Sequence, residues 1–462
     1  MTDISPDIFR AYDIRGVYPD TLDEKAVRQI ALAYADLLPE AHTFVVGRDY
    51  RGSGPALQEA VVQALREKGR NVIDIGTTAT PVFYFAIAHY KHPAGIMITG
   101  SHNPKNENGL KLNKNDAFPV YGEIGIYDMR DQIAADKYED FSAEPTGEVI
   151  QFDPLEDYME DVVGRINLKK PLKVVLDIGN GAGADIPRRV FEKLGCEVTA
   201  MYEDPDPDFP NHPADPYIAE TLVDLQKEVK KQGADVGFGY DGDADRAGLV
   251  DKNGTILTGE QVLHLLTKQA LEANDNKGEI VVEVRTSKAL IEDLEKQGGD
   301  VTITRAGHAY ILKEVMERKA IFGGEITGHL YFPYTYYPYD DAIFATAKLA
   351  EIVAEKDAEF PAYVESLPKL VASPEIFIDS PDDVKFKAIE KFVELVKEKG
   401  YDFLDIDGAR VEMENGWALV RASNTTPTIK VRFEADTEEN LKQIMDEIGA
   451  LMKEAGIELQ KE

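Results

Sequence analysis

The chain has 462 residues, of which 51 are basic and 84 acidic, giving a formal net charge of −33. Such a length exceeds one hydrophobic core and points to about three domains, with two to four open. The charge excludes nucleic acid and anionic membrane as general partners and obliges any phosphate site to gather Arg, Lys and backbone N–H groups locally.

The opening segment MTDISPDIFRAYDIRG carries neither a basic nor an apolar stretch, and no window approaches the roughly 18 apolar residues of a membrane helix. Cys196 is the only cysteine, which precludes an intramolecular disulfide. We expect a cytoplasmic protein in which Cys196 is a buried thiol.

Short Val- and Ile-rich runs then alternate with amphipathic helical patterns, the signature of βα units. The first series holds TFVVGRD, PALQEAVVQALREKGR, NVIDIG, PVFYFAIAHY and AGIMITG. The second begins at LKVVLDIGNGAG and ends at DVGFGYDGD, and the third runs from GEIVVEVRTS through VTITRAGH to IFGGEITGHLYF. The remainder has a long helix near KFKAIEKFVELVKEKG, strands in DFLDIDGARVEM, WALVRAS and TIKVRFEAD, and a closing helix. The pattern predicts an α/β protein: three tandem α/β domains with mixed sheets over 1–150, 151–254 and 255–367, and a smaller C-terminal α+β domain over 368–462.

Four segments carry chemistry. TGSHNPKNENGLKL, Thr99 to Leu112, follows a strand and reads as an exposed loop at its carboxyl end, where open α/β sheets place ligands. Ser101 there has no nearby Asp–His pair and no nucleophile-elbow pattern, so a hydrolase triad fits poorly. A phosphoryl carrier would need donors that tolerate a dianion, and His102, Asn103 and Lys111 supply them. In YDGDADR, Asp241, Asp243 and Asp245 alternate with small residues and can aim three carboxylates at one hard cation. An EF-hand is excluded, because Arg246 stands where it requires Gly and Lys252 where it requires Glu.

RASNTTPTIKVRF places Arg421, Ser423, Asn424, Thr425 and Arg432 as a compact anion cradle. In FGGEITGHLYF, Glu325 and Thr327 alternate, so an extended loop would face both toward adjacent sugar hydroxyls, and His329 is a candidate proton donor or phosphate contact. GNGAG at 179–183 lacks the full dinucleotide spacing and reads as a tight βα turn.

Together, FRAYDIRG at 9–16, TGSHNP, DGDADR, GEITGH and RASNTTP resemble, in order and over the whole chain, the α-D-phosphohexomutase superfamily in its bacterial phosphomannomutase/phosphoglucomutase branch. The resemblance implies four domains around a central active-site cleft. It implies a phosphohexomutase that interconverts hexose 1-phosphate and 6-phosphate, of mannose or glucose, through phospho-Ser101 and a hexose 1,6-bisphosphate. Asp241, Asp243 and Asp245 would bind Mg²⁺ together with an oxygen of that phosphoserine. Arg15, His102, Lys111 and Arg246 would line the reacting centre, with Lys111 a general acid or base beside His329. Glu325 and Thr327 would grip the sugar, Arg421, Ser423, Asn424, Thr425 and Arg432 the distal phosphate, and His308 the bound ligand. Small-molecule hexose phosphates are the expected partners, with no nucleic acid or membrane, and the expected state is a monomer or weak dimer.

The chain departs from the family pattern at three places. Gly100 stands where Ala is usual, Thr327 where Ser is usual, and LYFPYTYYPYDD is rich in tyrosines that read as packing and lacks the basic residues common there. The sister glucosamine-phosphate mutases carry Gln between Glu and Ser of the sugar loop, whereas this chain has Ile326, which favours a hexose. A metal-dependent phosphatase would have no use for the distal-phosphate cradle.

Overall fold

The structure is a computed structural model and describes residues 4–423 and 426–458. It divides into two compact units, one of residues 1–269 and 327–365, the other of 270–326 and 366–462.

The first unit holds two mixed sheets. In the leading sheet, Thr43–Arg48 lies parallel between Asn71–Thr77 and Ala94–Ile98, and Glu107–Lys114 runs antiparallel between Ala94–Ile98 and Ile14–Val17. The last six residues of the predicted Thr99–Leu112 loop, from Glu107 on, are therefore strand. Helices Glu24–Leu37, capped by Asp23 Oδ1 accepting from the Ala26 N–H at 2.8 Å, and Gly54–Glu67 share one apolar core with this sheet. Helix Thr80–His89 is buried from Thr80 through Ala88, which is why its sequence shows no polar face.

In the second sheet Val236–Tyr240 pairs parallel with Lys173–Asp177, which pairs parallel with Glu197–Met201. Ala247–Asp251 closes it antiparallel, with Tyr240 opposite Ala247, so 241–246 is a short connection folded at the end of a hairpin. Cys196 is buried as expected, and burial pushes its thiol up.

The tyrosine-rich segment packs mostly inward: Tyr336 stacks on Phe344 at 4.0 Å, and only Tyr334 stands well exposed among its large residues. Asp341 caps helix Ala342–Lys356 by accepting from the Phe344 N–H at 2.9 Å, and also accepts from the hydroxyls of Tyr158 at 3.0 Å and Tyr336 at 2.9 Å. Burial nevertheless dominates and pushes its carboxyl up to about 6. A carboxyl raised above its unfolded value favours the folded state at acidic pH, and that contribution is lost as pH rises through the raised value. Wild type should therefore lose about 3 kcal/mol of stability relative to Asp341→Asn, which does not titrate, between pH 4 and pH 7. Urea melts of both proteins across that range test this.

In the second unit, Gly278–Glu283 pairs parallel with Gly299–Thr304 and with Phe322–Gly324. The C-terminal sheet is antiparallel, ordered Val371–Ala372, Thr428–Ala435, Gly416–Ala422, Ala409–Met413 and Asp402–Leu404, with helices Asp382–Glu398 and Glu438–Ala455 sharing its core. Arg410 is fully buried beneath Trp417, 4.0 Å from the ring centroid, and donates to the carbonyls of Val284 and Thr286 at 2.8 and 2.7 Å. Among the described residues no helix is long and apolar enough to cross a membrane.

Candidate active site

Two loops at the carboxyl ends of strands meet in the first unit. Ser101 follows the strand Ala94–Ile98 and is only 5% exposed, not the open loop residue its composition suggested. Its φ is +48°, the left-handed region that an L side chain avoids at a cost of about 1–3 kcal/mol. Its N–H donates to Thr99 Oγ1 at 2.8 Å, and its Oγ lies 3.2 Å from both Asp241 Oδ2 and His102 Nδ1. The facing position is a glycine because a Cβ on Gly242 would come within 2.3 Å of the Ser101 carbonyl oxygen.

Asp241, Asp243 and Asp245 are each fully buried, and one carboxylate oxygen from each lies within 4.8 Å of the others. Asp241 Oδ1 accepts from the N–H groups of Asp245 and Arg246 at 3.1 Å, which folds the connection back on itself. Asp243 is held from the first sheet by the hydroxyls of Thr80 at 2.7 Å and Thr99 at 3.3 Å. Asp243 Oδ1 and Asp245 Oδ1 are buried with no hydrogen-bond partner. An acceptor left so is costly, and three carboxylates with two such oxygens fit a hard divalent cation.

Basic groups ring the aspartates. Lys111 reaches in from the strand Glu107–Lys114, its Nζ 3.0 Å from Asp243 Oδ2 and hydrogen-bonded to Asp245. Arg246 Nε donates to Asp241 Oδ2 at 3.1 Å, while its Nη2 is buried without a partner. Arg15 donates to Asp13 and to the Thr99 carbonyl, both at 2.7 Å. These charges set the titration of the site. Burial, then Asp245 and Asp243, push the Asp241 carboxyl well up, whereas Lys111, His329 and Arg246 overcome burial to hold Asp245 low. His102 stands at the exposed rim, yet Arg246 above all, then loss of solvation and Arg15, drive its imidazole well down, so it is neutral at pH 7. His329 is hydrogen-bonded through Nδ1 to Asp340, which is 3% exposed, and both approach Asp245. A cavity of about 460 Å³ opens beside Ser101 and His102, walled by Phe209, Pro213 and Asp215.

Ser101, His102, Lys111, Arg15, Arg246, His329 and the three aspartates thus lie together in the first unit. Thr327 belongs to the same unit. Sequence reasoning missed Thr80 and Thr99, which hold Asp243, and Asp340, which orients His329.

The other predicted residues lie in the second unit. Glu325 is buried, accepts from the Gly307 N–H at 3.3 Å and has Arg285 Nη2 at 3.8 Å, another partner the sequence did not flag. Residues 326 and 327 form a turn, so the alternation argument for Glu325 and Thr327, which assumed an extended loop, does not hold. His308 starts helix His308–Arg318. Arg421 pairs with Asp407, Arg432 Nη2 donates to Glu434 at 2.7 Å, and Ser423 Oγ accepts from the Thr426 N–H at 3.1 Å. Asn424 and Thr425 lie outside the described residues.

The chain resembles known proteins along its whole length. Models of the phosphoglucomutase/phosphomannomutase family match the chain in four successive pieces: alpha/beta/alpha domain I over residues 6–137, domain II over 156–254, domain III over 258–371, and the C-terminal domain over 352–451. A Pseudomonas aeruginosa protein named phosphomannomutase/phosphoglucomutase is 38% identical over 443 residues, which are 95% of this chain and 93% of that one. A Neisseria meningitidis protein named phosphoglucomutase is 34% identical over 463 residues, 98% of each chain. The crystal structure of a phosphoglucomutase/phosphomannomutase family protein from Burkholderia thailandensis superposes with a TM-score of 0.90 at 35% identity, covering 98% of both chains.

Proposed function

The chain belongs to the phosphoglucomutase/phosphomannomutase family, and on that premise we propose that it interconverts the 1- and 6-phosphates of glucose and mannose, with Ser101 as phosphoryl carrier and Mg²⁺ as its metal. The observation that carries this reading is the placement of Ser101 Oγ, 3.2 Å from Asp241 Oδ2, at the edge of an oxygen-only acidic cluster. A phosphoryl group on that oxygen would stand beside whatever cation the aspartates hold.

Held by Asp241, Asp243 and Asp245, Mg²⁺ would spread the negative charge of the phosphoryl oxygens. The chain supplies the rest. Arg246, with Nη2 unpartnered, and Arg15 offer donors to the group in flight. His102 is neutral and serves as a hydrogen-bonding group rather than as a charge. His329, hydrogen-bonded through Nδ1 to Asp340, is the group that takes the proton of an attacking sugar hydroxyl and returns it in the reverse step. Lys111 is the second candidate for proton transfer.

Glu325 and Thr327 grip the sugar, His308 contacts the bound ligand, and Arg421, Ser423, Asn424, Thr425 and Arg432 hold the phosphate that is not reacting. Phospho-Ser101 gives its group to a hexose monophosphate, and the resulting 1,6-bisphosphate must turn over before returning its other phosphate. One distal-phosphate cradle serves both orientations, and excluding water from the reacting centre separates a mutase from a phosphatase.

The test is turnover of glucose 1-phosphate and mannose 1-phosphate to their 6-phosphates, with Mg²⁺ and a trace of glucose 1,6-bisphosphate. Isomerisation of both sugars is expected. Conversion of glucosamine phosphate alone would overturn the reading of Ile326, and release of free phosphate alone would overturn the mutase.

A further inference from the structure

We propose that Arg51, braced by Asp49, is a positioning residue that holds Ser101 in its left-handed conformation, and is not itself a phosphate ligand. An arginine this near a phosphoryl carrier, in so acidic a chain, would ordinarily be taken for a phosphate contact. Its hydrogen bonds argue otherwise. Arg51 is 2% exposed, and all five of its guanidinium N–H groups are engaged by the protein. Nε donates to Asp49 Oδ2 at 3.2 Å, Nη1 to the carbonyls of Pro104 at 2.6 Å and Glu107 at 2.9 Å, and Nη2 to the carbonyls of Ser101 at 2.8 Å and Asn103 at 2.7 Å.

One planar cation thus gathers four carbonyls of the Ser101 loop onto a single point. Asp49, 3% exposed, fixes that point from the other side by accepting from the Arg51 N–H and the Gly100 N–H, both at 3.0 Å. Phe209 covers the guanidinium, its ring centroid 5.4 Å away. Gly100 fits the same design, because a Cβ there would come within 2.3 Å of the guanidinium carbon. A residue in a sparsely populated backbone region persists only where its surroundings over-determine it. The bond from Nη2 to the Ser101 carbonyl, with the Thr99 hydroxyl on the Ser101 N–H, supplies that determination. Without it, the loop can relax and carry Ser101 Oγ away from the aspartates.

The inference rests on the mutase reading and is tested separately from it. Arg51→Lys keeps the charge and the Asp49 pair but cannot span four carbonyls. It should lower kcat about 100-fold while KM for glucose 1-phosphate and the apparent Mg²⁺ constant stay within about threefold. In Arg51→Ala, added guanidinium chloride at tens of millimolar should restore part of the lost rate, and it should do nothing for wild type. Loading of Ser101 from glucose 1,6-bisphosphate, followed by intact mass, should slow in the same proportion as kcat. A merely structural role would lower the folded fraction and leave the kcat of the folded enzyme unchanged, as active-site titration would reveal. Arg51→Lys with kcat within threefold of wild type, or a KM that rises while kcat holds, overturns the inference. If wild type fails to isomerise either sugar, the mutase reading falls, and the loading rate still decides the role of Arg51.

Discussion

Ser101→Ala is expected to lower turnover of either hexose 1-phosphate by at least about 10³-fold, because it removes the oxygen proposed to carry the phosphoryl group. The loss should fall on kcat. Among the described residues Ser101 Oγ is hydrogen-bonded to Asp241 and His102, each at 3.2 Å, and the groups proposed for the sugar and the distal phosphate lie elsewhere in the chain. The fold should be nearly unaffected, since removing one hydroxyl leaves the backbone bonds of the loop in place. A coupled assay alongside a thermal melt separates lost chemistry from lost protein. Activity within tenfold of wild type would mean that another group carries the phosphoryl.

Asp243→Asn is the second large effect. Asp243 accepts from Thr80, Thr99 and Lys111 and keeps Oδ1 without a partner inside a fully buried cluster. The amide can still accept from Thr80, so the hairpin connection should hold its shape. It cannot supply the third negative charge, and it presents N–H donors to a buried centre built from acceptors. We expect kcat/KM to fall about 10²- to 10⁴-fold and the Mg²⁺ concentration for half-maximal rate to rise at least about tenfold. The rise in melting temperature that saturating Mg²⁺ gives the wild type should shrink as well, since a ligand stabilises only in proportion to its affinity for the folded state. An unchanged metal dependence of both rate and melting temperature would remove Asp243 from the metal site.

The loops proposed to carry the chemistry were legible because each is a contiguous run of unusual residues just after a strand. DGDADR and TGSHNP carry their chemistry within six residues apiece, and an acidic chain makes RASNTTP conspicuous. What the sequence hid is the set of residues that aim these loops. Thr80 meets Asp243 across 163 residues, and Arg51 meets Ser101 across 50. Neither sits in a segment whose composition sets it apart: Thr80 opens a helix that looks like plain core, and Arg51 follows a strand in an ordinary polar turn. Asp340 was concealed differently, at the end of a tyrosine-rich stretch read as packing, where its neighbour Asp341 does serve packing and capping while Asp340 turns to His329.

Burial was the other thing composition misjudged. Small polar residues and glycines suggested solvated loops, but Ser101 is 5% exposed and the three aspartates are closed off entirely, because the two loops cover one another. The same proximity turns Lys111 from a loop donor into a residue of a central strand, its ammonium pressed against Asp243 and Asp245. Folding thus converts two short motifs with ordinary solution chemistry into one desolvated centre, where charge interactions are far stronger than in water.

The central claim is that Ser101 carries the phosphoryl group, and the most direct test is to find that group. Wild-type protein incubated with Mg²⁺ and glucose 1,6-bisphosphate, then digested and sequenced by mass spectrometry, should show one phosphoryl group, on Ser101, that disappears when excess glucose 1-phosphate is added and reappears in the bisphosphate pool. A stable phosphate on a different residue, or isomerisation at full rate with Ser101 never phosphorylated, would contradict the account.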